Sequence, residues 1–183
     1  MTGPAATAAR HWLMKSEPGV FSIGMLKSKG VAGWDGVRNY QARNFMKAMR
    51  VGDKVLFYHS NAAPSGVAGL AVVAKASYPD PTQFDPKSDY HDPKAAPDRP
   101  IWFQVDLRFA GILPRLLSLD ELRGVPALAG MPLFQRSRLS VQPVTAEQYA
   151  AVVALVRGRR TAPARTGPAR QGASRGRARA RRR

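Results

Sequence analysis

Hydrophobic and polar positions along residues 11–156 follow two periods, one typical of strands and the other of helices. Runs rich in β-branched and aromatic residues predict strands at His11–Lys15, Lys54–His59, Gly66–Ser77, Ile101–Ala110 and Arg138–Val141. Helical spacing behind a capping residue predicts helices from Ser22 through Lys29, over Asn39–Met49, from Ser118, and over Thr145–Val156. Because strands dominate the middle and helices occupy the connections and the end, the pattern predicts an α+β fold, a small mixed barrel with helices over its openings.

One long segment, residues 78–100, interrupts this pattern because it is rich in proline and aspartate. A connection of that length without regular structure is often functional or mobile. Its Asp-Pro pairs at Asp80, Asp85 and Asp92 favour turn initiation over carboxylate chemistry. The segment is therefore predicted to be a loop with a function or with high mobility.

Charge is distributed unevenly along the 183 residues, whose formal net charge is +17. Residues 157–183 hold 11 arginines and no acidic residue, whereas residues 1–156 hold 18 basic and 12 acidic residues. The terminal segment has no aromatic or large aliphatic side chain, so it is predicted to be a disordered polycation, and the small, polar residues 1–10 are predicted to be disordered as well. One folded body, residues 11–156, is expected between them. Its expected partners are anions, nucleic acid first, although a charge run can also be merely solvated.

Several classes of protein are disfavoured by what the sequence lacks. Without cysteine there is no disulfide, no thiolate zinc site and no Cys nucleophile, and an intracellular location is expected, in the cytoplasm or nucleoid if the protein is bacterial. We find no secretory signal and no apolar run of about 18 residues, so no membrane partner is expected. His11, His59 and His91 are scattered and no phosphate-binding glycine loop is found, which predicts neither a metal nor a cofactor.

The segment around Trp34 holds the densest set of side chains suited to a nucleotide. Trp34 offers a flat π-face for stacking a base, Gly36 permits close approach of the backbone, and Asn39 carries a donor and an acceptor for a base edge. Arg38 and Arg43 could meet phosphates. The residue types alone favour a structural interpretation, in which Trp34 is a core residue, Gly36 a loop residue and Asn39 a helix N-cap.

Two further clusters follow predicted strands. At the end of the second strand, alternation places Phe57 and His59 on one face and Tyr58 and Ser60 on the other. His59 is interpreted as a hydrogen-bonded rim residue rather than as a general base, because no set of catalytic partner residues accompanies it. After the first strand, Ser16 could hydrogen-bond a ligand or lie in an ordinary exit turn, and the residues favour neither interpretation over the other.

A longer, ordered pattern joins these clusters, and it resembles the EVE domain family, which is related to the PUA and YTH domains. The matching motifs are Met14–Pro18, Trp34–Phe45, Val51–Asp53, Leu56–Asn61, Gly66–Leu70, Tyr78–Thr82, Phe84–Pro86, Asp92–Lys94, Trp102, Val105–Asp106 and Leu139–Val144. They cover about residues 11–156 and leave the basic tail outside. The resemblance implies a PUA-like fold, a small, mostly antiparallel β-barrel with helices in the connections, and a pocket for a modified base.

Carried over position by position, the resemblance implies a set of ligand-binding residues, and the basic side chains of the body and the tail predict a second set, of contacts to phosphates. The ligand-binding set is Ser16, Trp34, Gly36, Val37, Arg38, Asn39, Phe57, Tyr58, His59, Ser60, Asn61, Pro79, Asp80 and Trp102. Contacts to the nucleic-acid backbone are expected from Lys15, Arg38, Arg43, Arg157, Arg159 and Arg160. No catalytic residue set comes with the resemblance.

The leading hypothesis is a monomeric, non-catalytic module that takes one flipped, modified base into an aromatic pocket. The base would be a modified cytosine such as 5-methylcytosine in DNA, or a modified base in RNA. The arginine-rich tail would add unspecific affinity for phosphates. Two alternatives stay open at this point: a nuclease or base-processing enzyme that uses His59 with Asp35 or Asp80, and a coating protein that binds through its tail alone.

Overall fold

The structure, a computed structural model, describes residues 10–158, which form six strands and four α-helices. In chain order these are β1 (His11–Ser16), α1 (Ile23–Lys29), β2 (Val31–Gly33), α2 (Tyr40–Ala48), β3 (Lys54–His59), β4 (Gly66–Pro79), β5 (Phe103–Ser118), α3 (Leu119–Arg123), β6 (Val141–Val144) and α4 (Ala146–Gly158). Within this range, no helix is long and apolar enough to cross a membrane.

The six strands form one sheet in the order β2-β5-β4-β3-β1-β6. Only the β1–β3 pair within it is parallel, and every other neighbouring pair is antiparallel. The short strands β2 and β6 are the two edges. The prediction of an α+β fold with a mostly antiparallel sheet is thus confirmed.

Strand alternation divides the core into two clusters on opposite faces of the sheet. In β1, Trp12 and Met14 belong to an inner cluster with α1 and α2, whereas Leu13 belongs to an outer cluster with α3 and α4. In β3, Phe57 faces the inner cluster and Tyr58 the outer one, which confirms the predicted alternation. A strand covered on both faces has an almost continuous apolar run, which explains the clear strand pattern of β3.

The sheet curls around the inner cluster. Helix α2, nine residues and so about 13 Å long, packs against β4, β5 and β6. In a flat sheet, β5 and β6 would lie roughly 19 Å apart, because three other strands separate them. Register shifts between β4 and β5 supply the local bends that bring them closer. The barrel-like shape with helices in the connections agrees with the prediction.

The strands differ from the prediction most in β2, β5 and β6. β2, Val31–Gly33, escapes prediction because three residues that include glycine have no strand pattern, and it forms only by pairing with β5. β5 continues to Ser118 instead of Ala110, since its far half pairs with the start of β4. The last strand is Val141–Val144 rather than Arg138–Val141, because pairing with β1 sets its position.

The predicted disordered ends lie almost wholly outside the described residues, which exclude residues 1–9 and 159–183. Helix α4 continues to Gly158, two residues beyond the predicted end at Val156, and so includes Arg157. The disorder of both ends, and phosphate contacts from Arg157, Arg159 and Arg160, stay predictions.

Candidate functional site

A cleft of about 860 Å³ opens where the two edges of the curled sheet approach each other. One side is formed by β2 and the segment after it, Val31–Arg38, and the other by Lys15–Glu17 at the end of β1 with Ser137, Arg138 and Ser140 ahead of β6. Because β2 and β6 are edge strands, the cleft occupies the gap that the barrel leaves unclosed. Its volume lies in the range of about 300–1,000 Å³ that is typical of small-ligand sites.

Trp34 belongs both to the inner cluster and to the lining of the cleft. Its ring packs edge-on against Phe57, with centroids 5.2 Å apart, and against Phe21, with centroids 6.0 Å apart. Only 6% of Trp34 is exposed, so the ring presents a margin rather than a full face to the cleft. The structural and the ligand-binding interpretations of this residue are therefore compatible.

Tyr90 supplies a second aromatic wall, and the sequence motifs do not include it. It lines the cleft with 41% of its surface exposed. Gly36 makes this possible, because a Cβ at Gly36 would lie 2.8 Å from the Tyr90 ring, and the backbone there has a φ of +73°. The only signal in the sequence for Tyr90 was its place in the long Pro/Asp-rich connection.

Arg38 holds this connection in place. Its Nε donates to the carbonyl oxygen of Tyr90 (2.9 Å), Nη1 to Asp80 (2.9 Å) and to the carbonyl oxygen of Val37 (3.1 Å), and Nη2 to Thr82 (2.9 Å) and again to Tyr90. These contacts use all five N–H donors of a guanidinium. Arg38, expected from the sequence to bind ligand and phosphate, thus acts within the described structure as a clamp between two segments.

Asp80 completes the clamp from a fully buried position. Its carboxylate accepts from the backbone N–H of Gly36 (3.0 Å), from Arg38, and from both the backbone N–H (2.8 Å) and the hydroxyl (2.6 Å) of Thr82. Burial by itself would raise the pKa of Asp80, but the hydrogen bonds from Thr82, Arg38 and Gly36 outweigh it and lower the pKa. Asp80 is therefore a charged anchor behind the cleft.

Gln104 and Tyr78 add polar groups to the lining, and neither is among the predicted site residues, although Tyr78 belongs to a matching motif. Gln104 lies on β5 with only 6% of its surface exposed, and a Cβ at Gly33 would lie 3.2 Å from its Nε2. A carboxamide has both donors and acceptors, as a base edge does. Burial and a hydrogen bond to Asp106 raise the pKa of Tyr78 to about 12, so its hydroxyl stays protonated and donates to Asp106.

The edge of β2 adds backbone groups to the same lining. The backbone N–H of Trp34 donates to the carbonyl oxygen of Val105 (2.8 Å), and the carbonyl oxygen of Gly30 accepts from the backbone N–H of Phe109 (2.9 Å). The backbone groups of the even-numbered residues in this segment therefore face β5. Alternation then turns the backbone groups of Val31 and Gly33 away from β5, towards the cleft that both residues line.

Charged side chains surround the opening of the cleft. Lys15, Lys29 and Arg138 lie in its lining together with Glu17 and Asp35. Lys15 donates to the carbonyl oxygen of Ser137 (3.1 Å), and burial lowers its pKa. Burial, with the negative charge of Asp80 nearby, raises the pKa of Asp35. With Arg38 neutralised by Asp80, the opening keeps a small excess of positive charge.

Of the predicted ligand-binding residues, six lie in the described lining. These are Ser16, Trp34, Gly36, Val37, Arg38 and Ser60. Lys15, predicted to contact the backbone, lies there as well. The fold brings this set together from three separate stretches of chain.

The other predicted residues have mainly structural positions. Asn39 is the N-cap of α2 and accepts from the backbone N–H of Ala42 (3.0 Å), as the structural interpretation predicted. Phe57 and Tyr58 are buried in the inner and outer clusters. Asn61 donates to Glu17 (2.9 Å).

Three further residues also lie outside the described lining. Pro79 ends β4, and Trp102 donates its indole N–H to Asp92 (2.7 Å). Arg43 donates to the carbonyl oxygen of Ile101 (3.0 Å). Ligand contacts from these residues stay predictions.

His59 has a hydrogen-bond partner other than the two carboxylates that the enzyme hypothesis pairs with it. Its Nε2 accepts from the backbone N–H of Ile23 (3.1 Å), and burial lowers its pKa. No ion pair among residues 10–158 joins it to Asp35 or Asp80. Within the same residues, no cluster of three or more His, Cys, Asp or Glu side chains could hold a metal ion.

Comparison with known proteins finds relatives that are similar over about four fifths of this chain. Human thymocyte nuclear protein 1 is 46% identical over 165 residues, which cover 79% of this chain and 73% of that protein. A hypothetical protein from Leishmania major has a solved structure with a TM-score of 0.81 and 48% identity, covering 84% of this chain and 98% of that one. The crystal structure of the human THYN1 protein in complex with DNA containing 5-methylcytosine has a TM-score of 0.77 and 43% identity, covering 81% and 98% of the two chains.

The sequence also matches the EVE domain over residues 10–155, which includes every strand, the cleft and nearly all of α4. This match spans most of the chain, and it agrees with the motifs that follow one another from Met14 to Val144. The curled sheet is therefore that of an EVE domain, and the chain belongs to the EVE domain family.

Proposed function

We propose that this protein is a non-catalytic reader that binds a modified nucleobase, a modified cytosine in DNA or a modified base in RNA, in the cleft beside Trp34. The observation that carries the proposal is a cleft of about 860 Å³ that combines the exposed ring of Tyr90 and the margin of the Trp34 ring with the buried carboxamide of Gln104. Its support from relatives is the complex of the human THYN1 protein with DNA containing 5-methylcytosine.

The lining suits a single flipped base. Tyr90 offers an exposed ring on one side, and stacking on an aromatic ring contributes about 1–3 kcal/mol per base. The Gln104 carboxamide and the outward backbone groups of Gly33 can pair with the donors and acceptors of a base edge. Asp35, at the opening, can accept from the exocyclic amine of cytosine. A buried methyl group would add about 0.8 kcal/mol, so the methyl alone gives modest selectivity.

The tail supplies the second half of the proposal. Residues 157–183 contain 11 arginines, which attract phosphates regardless of sequence and make binding dependent on salt. The tail would thus raise the local concentration of nucleic acid, and the cleft would select the base. An intracellular, monomeric protein remains part of this proposal.

The absence of a catalytic role is proposed on the placement of the candidate residues. Asp80 is buried against Arg38, and His59 already accepts a hydrogen bond from Ile23. The enzyme hypothesis needs these groups within hydrogen-bond reach of one substrate. Incubation of methylated DNA with the protein, with and without magnesium, is expected to yield no product.

The test measures affinity for DNA and RNA oligonucleotides that differ only in methylation of one cytosine. The wild-type protein should prefer the methylated form, and Gln104→Leu, which keeps the size but removes the carboxamide, should weaken binding by at least about tenfold. Gln135→Leu is the matched control, because Gln135 is exposed and outside the cleft lining. Removal of residues 159–183 should flatten the salt dependence and keep the preference. Equal affinity of the wild type for both forms would refute the proposal.

A further inference from the structure

Five side chains form a layered arrangement that runs outward from the cleft opening, and we name it the aromatic–arginine stack. Its members are Tyr90, Arg38, Trp102, Arg43 and Tyr40. The Arg38 guanidinium carbon lies 5.4 Å from the centres of both the Tyr90 and the Trp102 rings. The Trp102 and Tyr40 ring centroids are 4.9 Å apart with 32° between the planes. Tyr90, which lines the cleft, is thus connected to Tyr40, which belongs to α2.

The stack is held in place by hydrogen bonds from its interior members. Arg38 has protein acceptors for all five N–H donors, and the Trp102 indole N–H donates to Asp92 (2.7 Å). Arg43 donates from Nη1 to the carbonyl oxygen of Ile101 (3.0 Å). Tyr40 is the first residue of α2, directly after the N-cap. A rigid, preformed surface loses little entropy when a ligand binds to it.

One face of the Tyr40 ring is open. The Arg43 guanidinium carbon lies 4.8 Å from the centre of Tyr40 and 5.9 Å from that of Trp102. With Trp102 at 4.9 Å from Tyr40, these two neighbours lie less than a right angle apart as seen from the Tyr40 ring, so they cannot sandwich it. The opposite face is exposed, in agreement with the 59% exposure of this residue.

Arg43, on the covered side of the Tyr40 ring, has hydrogen-bond donors to spare. Nε and Nη2 both donate to Asn44 (3.1 and 2.9 Å), and Nη1 donates to Ile101. Among the described residues these contacts use three of five N–H donors, which leaves two for an anionic oxygen. An aromatic ring that has one open face, with a cation that has free donors on its other side, matches a nucleotide, which carries both a π-surface and a phosphate.

We propose that the open face of Tyr40 stacks the nucleobase next to the one that enters the cleft, with Arg43 on the phosphate between them. The inference rests on the proposed function for the identity of the polymer. The stack indicates the path of the strand from the cleft, since it begins at Tyr90, which lines the cleft, and ends at Tyr40. The surface would therefore set affinity for a strand without selecting the modification, because every base has a π-face.

The test compares a ligand that reaches only the cleft with one that reaches both surfaces. The first is 5-methyldeoxycytidine, and the second is a short single-stranded DNA with one central 5-methylcytosine and 2-aminopurine on either its 5′ or its 3′ side. Tyr40→Ala should weaken binding of the DNA by between about fivefold and about a hundredfold and abolish the quenching of 2-aminopurine on one side. It should leave the affinity for the nucleoside unchanged.

Two matched variants separate stacking from other effects. Tyr40→Phe keeps the ring and should retain both affinity and quenching, and Ile112→Ala removes an exposed apolar side chain from β5 and should change neither. If Tyr40→Ala binds and quenches like the wild type while the preference for methylated DNA persists, the stacking surface is refuted and the reader function stands. If no preference exists but Tyr40→Ala still weakens DNA binding, the reader function fails and the stacking surface stands.

Discussion

The floor and the rim of the cleft are built in different ways. The floor consists of Trp34, which directly follows β2, and Gln104, which lies on β5. Each of these residues is only 6% exposed. The rim, Tyr90, belongs to the long connection between β4 and β5 and is 41% exposed. Its position depends on the clamp formed by Arg38 and Asp80.

Because of this difference, substitutions in the two regions should affect the free energy of unfolding and the free energy of ligand binding to different extents. The floor cannot change without disturbing the inner cluster, so its geometry is tied to the free energy of unfolding of the whole domain. The rim depends on a few hydrogen bonds and on one glycine, so a substitution of one of these residues can displace Tyr90 while the sheet stays folded. Variants of the floor should therefore lower both stability and binding, whereas variants of the rim should affect binding more than stability.

Replacement of Trp34 by Ala should have the largest effect. It removes a buried ring that packs edge-on against Phe21 and Phe57, so the free energy of unfolding should fall by about 3–5 kcal/mol. The preference for a methylated base should also disappear. Denaturant unfolding and oligonucleotide titration measure the two quantities.

Met46→Ala is the control for Trp34→Ala. Met46 is fully buried in the inner cluster but lies on α2, outside the described lining of the cleft. It should lower stability by about 2–5 kcal/mol and keep the preference at temperatures where the domain is folded. A Trp34→Ala protein that is folded and still selective would contradict a role for the floor.

Replacement of Asp80 by Asn should have an intermediate effect on stability and a large effect on the position of Tyr90 at the rim. An amide nitrogen cannot accept from Gly36, Thr82 and Arg38 as the carboxylate does, so a loss of about 1–3 kcal/mol is expected. Asp53→Asn is the matched control, because Asp53 is also buried but bonds to Arg10, Trp12 and Arg50 away from the cleft. Both variants should lose stability, and only Asp80→Asn should lose affinity for the methylated oligonucleotide.

The sign of the pH dependence follows from the lowered pKa of Asp80. A carboxyl with a lower pKa in the folded state stabilises that state above its unfolded pKa, near 3.8, and the contribution is lost as the pH falls through the folded value. Wild-type stability should therefore decline more steeply below about pH 4 than that of Asp80→Asn. Parallel acid-unfolding curves for the two proteins would contradict a charged Asp80.

Replacement of Gly36 by Ala should have the smallest effect on stability. The left-handed backbone costs about 1–2 kcal/mol for a residue with a Cβ, and here the Cβ would also displace the Tyr90 ring. Gly30→Ala is the control, since Gly30 has the same φ of +73° but nothing within 4 Å of an added Cβ. Gly36→Ala should lose more affinity for the methylated oligonucleotide than Gly30→Ala, because only the Cβ at Gly36 displaces the Tyr90 ring. Equal affinity of the two variants would show that the rim does not contact the base.

Much of the fold could be predicted from the sequence because its strong elements have local signals. β3 is buried on both faces and has a nearly continuous apolar run, and the caps Ser22, Asn39 and Ser118 mark where helices begin. β2 could not be predicted, because three residues gain strand geometry only from their partner β5. The candidate site was predicted only in part for the same reason, since Tyr90 and Gln104 reach the cleft from segments distant from the Trp34 motif.

The sequence by itself determined the α+β class, the family motifs, the structural role of Asn39 as a cap and the strong positive charge of the terminal segment. These properties depend on composition, periodicity and short-range capping, which act within a few residues. Only the tertiary structure decided that Trp34 shows a margin rather than a face, that Arg38 is a clamp, and that Gln104 and Tyr90 face the same cleft. Those outcomes depend on sheet curvature and on contacts between residues that are far apart in the chain, and no local pattern encodes them.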